Sequence, residues 1–195
     1  MPKVEDQTKE RILLSALALF AERGIGKTSV SEVAYRAGVT RVTVYRYFPE
    51  KKELVYRAFL RVEQVFQQGL AALKRDPKAD WEGILNQIGE ELGALPPGDV
   101  FERMDELKRL YPDVCDSIQQ VREITLNAMF ERFIAAAQRR HLLRPGLNRA
   151  IVQAVFSDLL VNLFDHPRFK SLGLTDAELY RAMSNIFLHG VMRSR

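Results

Sequence analysis

Between Thr28 and Leu54 the chain reads TSVSEVAYRAGVTRVTVYRYFPEKKEL, and this stretch narrows the possible folds more than any other. Ser29 and Glu32 stand at capping-box spacing, in which hydroxyl and carboxylate each satisfy an N–H that a helix start would leave unpaired. A helix therefore begins at Ser29. Along it Val30, Val33, Ala34 and Ala37 recur at steps of three and four, which makes one apolar stripe. Gly38 can take the positive φ that closes a helix C-terminus. Thr40 then caps a second helix, which turns Val44 inward and leaves Arg41, Thr43 and Arg46 free to point outward. Pro49 stops it.

The spacing is that of a helix-turn-helix spanning about residues 29–48. Ala34 is a small residue four before Gly38, where the two helices cross closely. Val44, six after the glycine, packs the second helix onto the first. In such a unit the second helix enters the DNA major groove.

Thr28-Ser29-Val30, Glu32-Val33-Ala34, Ala37-Gly38-Val39-Thr40, Thr43-Val44-Tyr45-Arg46-Tyr47-Phe48 and Lys51-x-Glu53-Leu54 together resemble the DNA-binding domain of tetracycline-repressor (TetR) family regulators. Upstream, Ala16-Leu17 and Leu19 through Gly24 are similar to that family's first helix. The resemblance covers roughly residues 8–60. Val42 stands where the family often has Gly, which alters the surface facing the bases. Glu50 stands where the family often has Ser, Asn or Asp, a weaker cap for the fourth helix.

Charge is unevenly placed. Residues 1–60 hold eleven Lys/Arg against seven Asp/Glu, and the remainder holds eighteen of each, so all the net charge of +4 lies in the segment with the motif. That is the footprint of a module that binds a polyanion. At 195 residues and 47% hydrophobic, the chain can bury a real core as one large or two small domains. A single cysteine, Cys115, excludes an intramolecular disulfide and fits a reducing compartment. No apolar run approaches the ~18 residues of a membrane span, and the first residues, MPKVEDQTKE, are too polar for a secretory leader. The expected location is the cytoplasm.

No segment alternates with period two, so the fold class is all-α. Helix one is expected over about Thr8–Arg23, with a core stripe of Ile12, Ala16, Leu19 and Phe20 ended by Gly24. A long helix after Pro49 carries Leu54, Val55, Ala58, Phe59, Val62, Phe66, Leu70 and Leu73 at near-perfect 3.6 spacing. Further helices are expected over Trp81–Leu92, from an Asp99 cap to about Leu110, from Pro112 to about His141, from Leu147 to Phe164, and from the Thr175/Glu178 capping box onward. These give about nine helices: a three-helix DNA-binding domain over 6–66, joined through the long fourth helix to a regulatory and dimerisation domain over 67–195.

Phosphate contacts position such a protein and base edges specify the site. Arg41 is the candidate base reader, since a guanidinium can bond guanine O6 and N7 together, worth ~1–3 kcal/mol of discrimination. Thr43 and Val42 offer methyls to thymine. Lys27 and Thr28 lie where a helix N-terminus favours an anion, and Ser29, Thr40 and Arg46 complete the candidate surface. By resemblance, Tyr45 and Tyr47 match the family's aromatic pair and Lys51 its phosphate-binding lysine. A recognition helix of about eight residues spans only ~12 Å, too short for a specific site by itself. A dimer on a palindromic operator, with half-sites ~34 Å apart, doubles the reading.

The last two helices have apolar faces wider than one core contact requires. Ile151, Val155, Leu159 and Leu163 lie on the first, with Leu179, Met183, Ile186 and Phe187 on the second. Pattern alone leaves burial within one chain and pairing about a two-fold axis equally open. The resemblance implies pairing, and also a ligand pocket in the body, with Phe66, Trp81, Met104, Leu107, Tyr111, Arg122, Thr125, Met129 and Phe156 as candidate walls for a small hydrophobic or aromatic effector. Catalysis is not expected. His141, His166 and His189 have no metal-like spacing to one another or to Cys115, and there is no Gly-rich phosphate loop. No cofactor or metal is expected. The reading is a homodimeric DNA-binding repressor released by a small molecule. An activator, a ligand-independent regulator, or a helical binding module with a vestigial head stand as alternatives.

Overall fold

The computed structural model describes residues 4–75, 81–95, 103–162 and 171–192, with side chains described for all of these except 4–6, 157–162 and 176. Among them are nine helices and no strand: α1 (Val4–Arg23), α2 (Val30–Arg36), α3 (Arg41–Tyr47), α4 (Lys51–Arg75), α5 (Trp81–Gly93), α6 (Met104–Leu110), α7 (Pro112–Arg139), α8 (Arg149–Asn162) and α9 (Asp176–Val191). The all-α expectation holds. Extended pairing among the described residues is confined to one bridge, between Leu143 and Met192. The expected Asp99 cap and the segment after Asn162, including Leu163, Phe164 and His166, lie outside the described residues.

The chain forms two compact units: residues 1–63 with 95–119, and residues 64–94 with 120–195. The first contains α1, α2, α3, α6 and the beginnings of α4 and α7. Residues 103–119, expected with the regulatory body, cluster with the N-terminal residues. The second contains α5, α8, α9 and the remainders of α4 and α7.

In the first unit the stripe of α1 meets that of α4. Ile12, Ala16, Leu17 and Phe20 are buried together with Leu54, Val55, Ala58 and Phe59. The Phe20 and Phe59 rings stack with centroids 6.4 Å apart. Burying side chains of this size stabilises the unit by about 1.5–3 kcal/mol each; α2 packs on α1, and α3 on α2. In the second unit α9 packs against α5 at Gly89. A Cβ there would stand 2.9 Å from Arg181 Cγ, so the helices approach as closely as they do because the residue is glycine. The interior is aromatic: Phe130 meets Phe156, Phe133 meets Phe187, and Phe156 meets Phe187, with centroids 4.9–5.4 Å apart.

Candidate nucleic-acid interface

Local chemistry sets the geometry of α2 and α3. The Ser29 hydroxyl accepts from the Glu32 N–H at 3.2 Å. The Glu32 carboxylate accepts from the Ser29 N–H at 2.7 Å, and its bonds to Ser29 hold it below the usual carboxylate range. At the other end Gly38 has φ +63°, and the Val39 N–H donates back to the Ala34 carbonyl at 3.0 Å, the wrap that a left-handed residue at this position permits. Thr40 then caps α3, its hydroxyl accepting from the Thr43 N–H at 3.1 Å.

Val44 is the buried residue of α3, and Phe48 just beyond it is also buried. Everything else on the helix faces outward in some degree. Arg41, Val42 (79% exposed) and Arg46 are exposed, and Thr43, Tyr45 and Tyr47 are half-buried. The two arginines are not loose. Arg41 stacks over the Tyr45 ring at 5.3 Å and donates to its hydroxyl at 3.3 Å. Arg46 lies 5.3 Å from the Tyr47 ring centroid. Planar guanidiniums resting on rings are partly ordered before any partner arrives, which reduces the rotamer entropy lost on binding. The Thr43 hydroxyl shares a 2.9 Å hydrogen bond with that of Thr40.

The loop ahead of α2 shows what the sequence hid. Ser29 and Lys27 are exposed, but the Thr28 side chain is buried, its hydroxyl donating to Gly24 O at 2.8 Å. That side chain ties off the end of α1 rather than facing outward. Lys51 is half-buried, and its Nζ donates to the Ile25 carbonyl at 2.7 Å. Burial pushes its ammonium pKa down, opposed by Glu106 and Glu32. Glu106 of α6 was no candidate at all, yet its two carboxylate oxygens accept from the Ile25 N–H at 2.9 Å and the Gly26 N–H at 3.1 Å. Partial burial raises the Glu106 pKa, but those two N–H bonds and then Arg103 and Arg109 outweigh it and leave it lowered. Arg103 adds a bond to Ala21 O at 2.8 Å. A second residue passed over is Tyr35, 89% exposed on α2. Its place opposite the Val30–Ala37 stripe was the available signal.

In the second unit Phe66, Met129 and Phe156 line an apolar cavity with Leu126, Tyr180 and Phe187, among others. It holds ≈ 20 Å³, about one water molecule. Burial pushes the Tyr180 phenol far up, partly offset by its bond to Ser184. The other candidate walls are not brought there. Trp81 lines a separate open pocket. Met104 and Leu107 are buried on α6 in the first unit, as Tyr111 follows them there. Arg122 and Thr125 are buried, the Thr125 hydroxyl donating to Val121 O at 2.8 Å. The candidates are divided between two units and two pockets, because helical periodicity identifies a buried face without saying what it is buried against.

The expected dimer face divides in the same way. Ile151 (62% exposed), Val155 (47%) and Ile186 (65%) are outward. Leu179 is buried, and Met183 and Phe187 are half-buried and line the cavity. Ile186, three residues from Met183 and seven from Leu179, belongs to the same side of the helix yet is exposed, as are Ala182 and Gly190. Leu159 and Leu163 have no described side chains.

Residues 12–58 match the family described as bacterial regulatory proteins, tetR family. The chain is 32% identical over 77 residues to the HTH-type transcriptional regulator AcrR of Shigella flexneri, covering 40% of this chain and 34% of that one. It is 36% identical over 126 residues to the HTH-type transcriptional repressor BepR of Brucella suis biovar 1, covering 52% and 59%. The match thus spans between a third and three fifths of the length of these curated relatives. Among solved structures, SmeT, the repressor of the Stenotrophomonas maltophilia multidrug efflux pump SmeDEF, aligns with a TM-score of 0.65 at 21% identity over 95% of this chain and 91% of that one. At that identity the likeness is one of fold.

Proposed function

We propose, from an N-terminal domain that belongs to the tetR family of bacterial regulatory proteins, that this chain is a sequence-specific DNA-binding regulator of transcription. One observation carries the reading. A short helix is fixed by two caps and one buried valine, and it presents Arg41, Val42, Thr43 and Arg46 outward from the segment that holds all the net positive charge. Arg41 is the base-reading residue. Lys27, Ser29, Thr40, Tyr45, Tyr47 and Arg46 are backbone or flanking contacts.

The chain acts as a homodimer on a palindromic operator in the cytoplasm. The exposed apolar residues Ile151, Val155 and Ile186 support pairing through α8 and α9, since a two-fold axis would bury them against their own copies. It represses, and a small molecule held by the second unit releases it. BepR and SmeT are named as repressors, and SmeT has been solved in complex with triclosan. A ligand releases DNA only as far as it favours one arrangement of the two heads over the other.

The test is selection of bound duplexes from random DNA with purified protein. A recovered motif with a two-fold axis and half-sites about one turn apart is expected, with affinity falling steeply as salt rises because phosphate contacts release counterions. No enrichment, or binding indifferent to salt, overturns the reading.

A further inference from the structure

On the second unit an open pocket of ≈ 430 Å³ lies where the end of α4, the start of α5 and the C-terminal half of α7 meet. Its volume falls in the range of small-molecule sites, unlike the ≈ 20 Å³ cavity beside Tyr180. Leu73 and Trp81 give it an apolar wall, and Ala128, Ala135 and Ala136 keep the α7 side shallow. Trp81 is held in place by an edge-on contact with Phe133, centroids 5.1 Å apart.

Charge around this wall is one-sided. Lys74, Arg132 and Arg139 line it, and Arg132 and Arg139 fall on one face of α7 because they are seven residues apart. None of the three has an ion-pair partner among the described residues. The acidic residue present, Glu131, is already engaged by Arg149. Three cations without an ion-pair partner among the described residues line the same pocket as this aromatic and aliphatic wall, an arrangement that matches an anionic ligand with an apolar body. We propose that this pocket binds a small organic anion, a carboxylate on an apolar or aromatic body, with the body against Trp81 and Leu73 and the carboxylate toward Lys74, Arg132 and Arg139. The assignment names a ligand chemistry that the regulator reading leaves open. It rests on that reading only where DNA release is concerned, and binding itself is tested without DNA.

Trp81 is the chain's one tryptophan, so its emission reports from the pocket wall. The probes are 4-phenylbutanoate and the uncharged 4-phenylbutanol, titrated into full-length protein while Trp81 emission is followed. The acid should change the emission saturably, and the alcohol should need about tenfold more. Arg132→Gln with Arg139→Gln should weaken the acid about tenfold, the sum of two exposed ion contacts, and leave the alcohol unchanged, with helicity and unfolding midpoint as in the parent. Equal half-saturation for acid and alcohol, an unaltered response in the double variant, or no response of Trp81 at all overturns the assignment. Failure of DNA selection with an intact anion response would sink the regulator reading alone.

Discussion

Removing the Glu106 carboxylate should loosen the head more than its half-exposed position suggests. In the structure it receives the Ile25 N–H at 2.9 Å and the Gly26 N–H at 3.1 Å. Ile25 is fully buried, so in Glu106→Ala its N–H is left without a partner, at about 1–3 kcal/mol. Gly26 is exposed and water can replace its bond, at about 0.5–1 kcal/mol. The total of about 1.5–4 kcal/mol corresponds to a fall of roughly 3–16 °C in unfolding midpoint for a chain of this size. A companion variant isolates the contact. At Gly24, φ is +90° and an added Cβ would stand 2.8 Å from Glu106 Oε2. Gly24→Ala therefore carries backbone strain of about 1–2 kcal/mol and a clash that disappears in the Glu106→Ala background. The double variant should be more stable than the sum of the singles implies by at least about 0.5 kcal/mol. The pH dependence has a fixed sign. The Glu106 pKa is lowered in the folded state, so its contribution is present above the unfolded value of about 4.3 and is lost as pH falls through the lower folded value. The gap between parent and Glu106→Gln should be full at neutral pH and close in acid. Denaturant unfolding followed by circular dichroism measures all of this. A Glu106→Ala variant within about 0.5 kcal/mol of the parent, or strict additivity with Gly24→Ala, would refute the reasoning.

Arg41→Ala should reduce affinity for the selected duplex by about 1–3 kcal/mol and relax preference at one position of each half-site, read by competition binding against single-base variants of that duplex. Lys51→Met should lower the unfolding midpoint by a few degrees, because its ammonium is bonded to Ile25 O at 2.7 Å; a variant with parental stability and lost DNA affinity would make Lys51 a phosphate contact instead. Ile186→Glu, placing a charge on a residue 65% exposed in the single chain, should leave the fold intact and shift sedimentation equilibrium toward monomer. An unchanged dimer would remove Ile186 from the interface.

The helix-turn-helix was legible because its determinants are local. A capping box, a glycine that can take positive φ, a threonine cap and one inward valine act within a few residues of one another, so their spacing in the sequence is also their spacing in space. The long α4 was legible for a similar reason, as its 3.6 period fixes a buried stripe. What the period leaves open is the partner of each stripe. Met104 and Leu107 are as apolar as Phe66 and Met129, yet they belong to the head, and Met183 and Phe187 line a cavity while Ile186, beside them on α9, is exposed. Glu106 read as one more acidic residue in the first turn of a short helix. Its role depends on two N–H groups eighty and eighty-one residues earlier in the chain, a proximity set by tertiary packing. Local hydrogen bonding determined the helix-turn-helix, whereas only the folded chain decided which distant side chains close its loop, which line a cavity and which remain exposed.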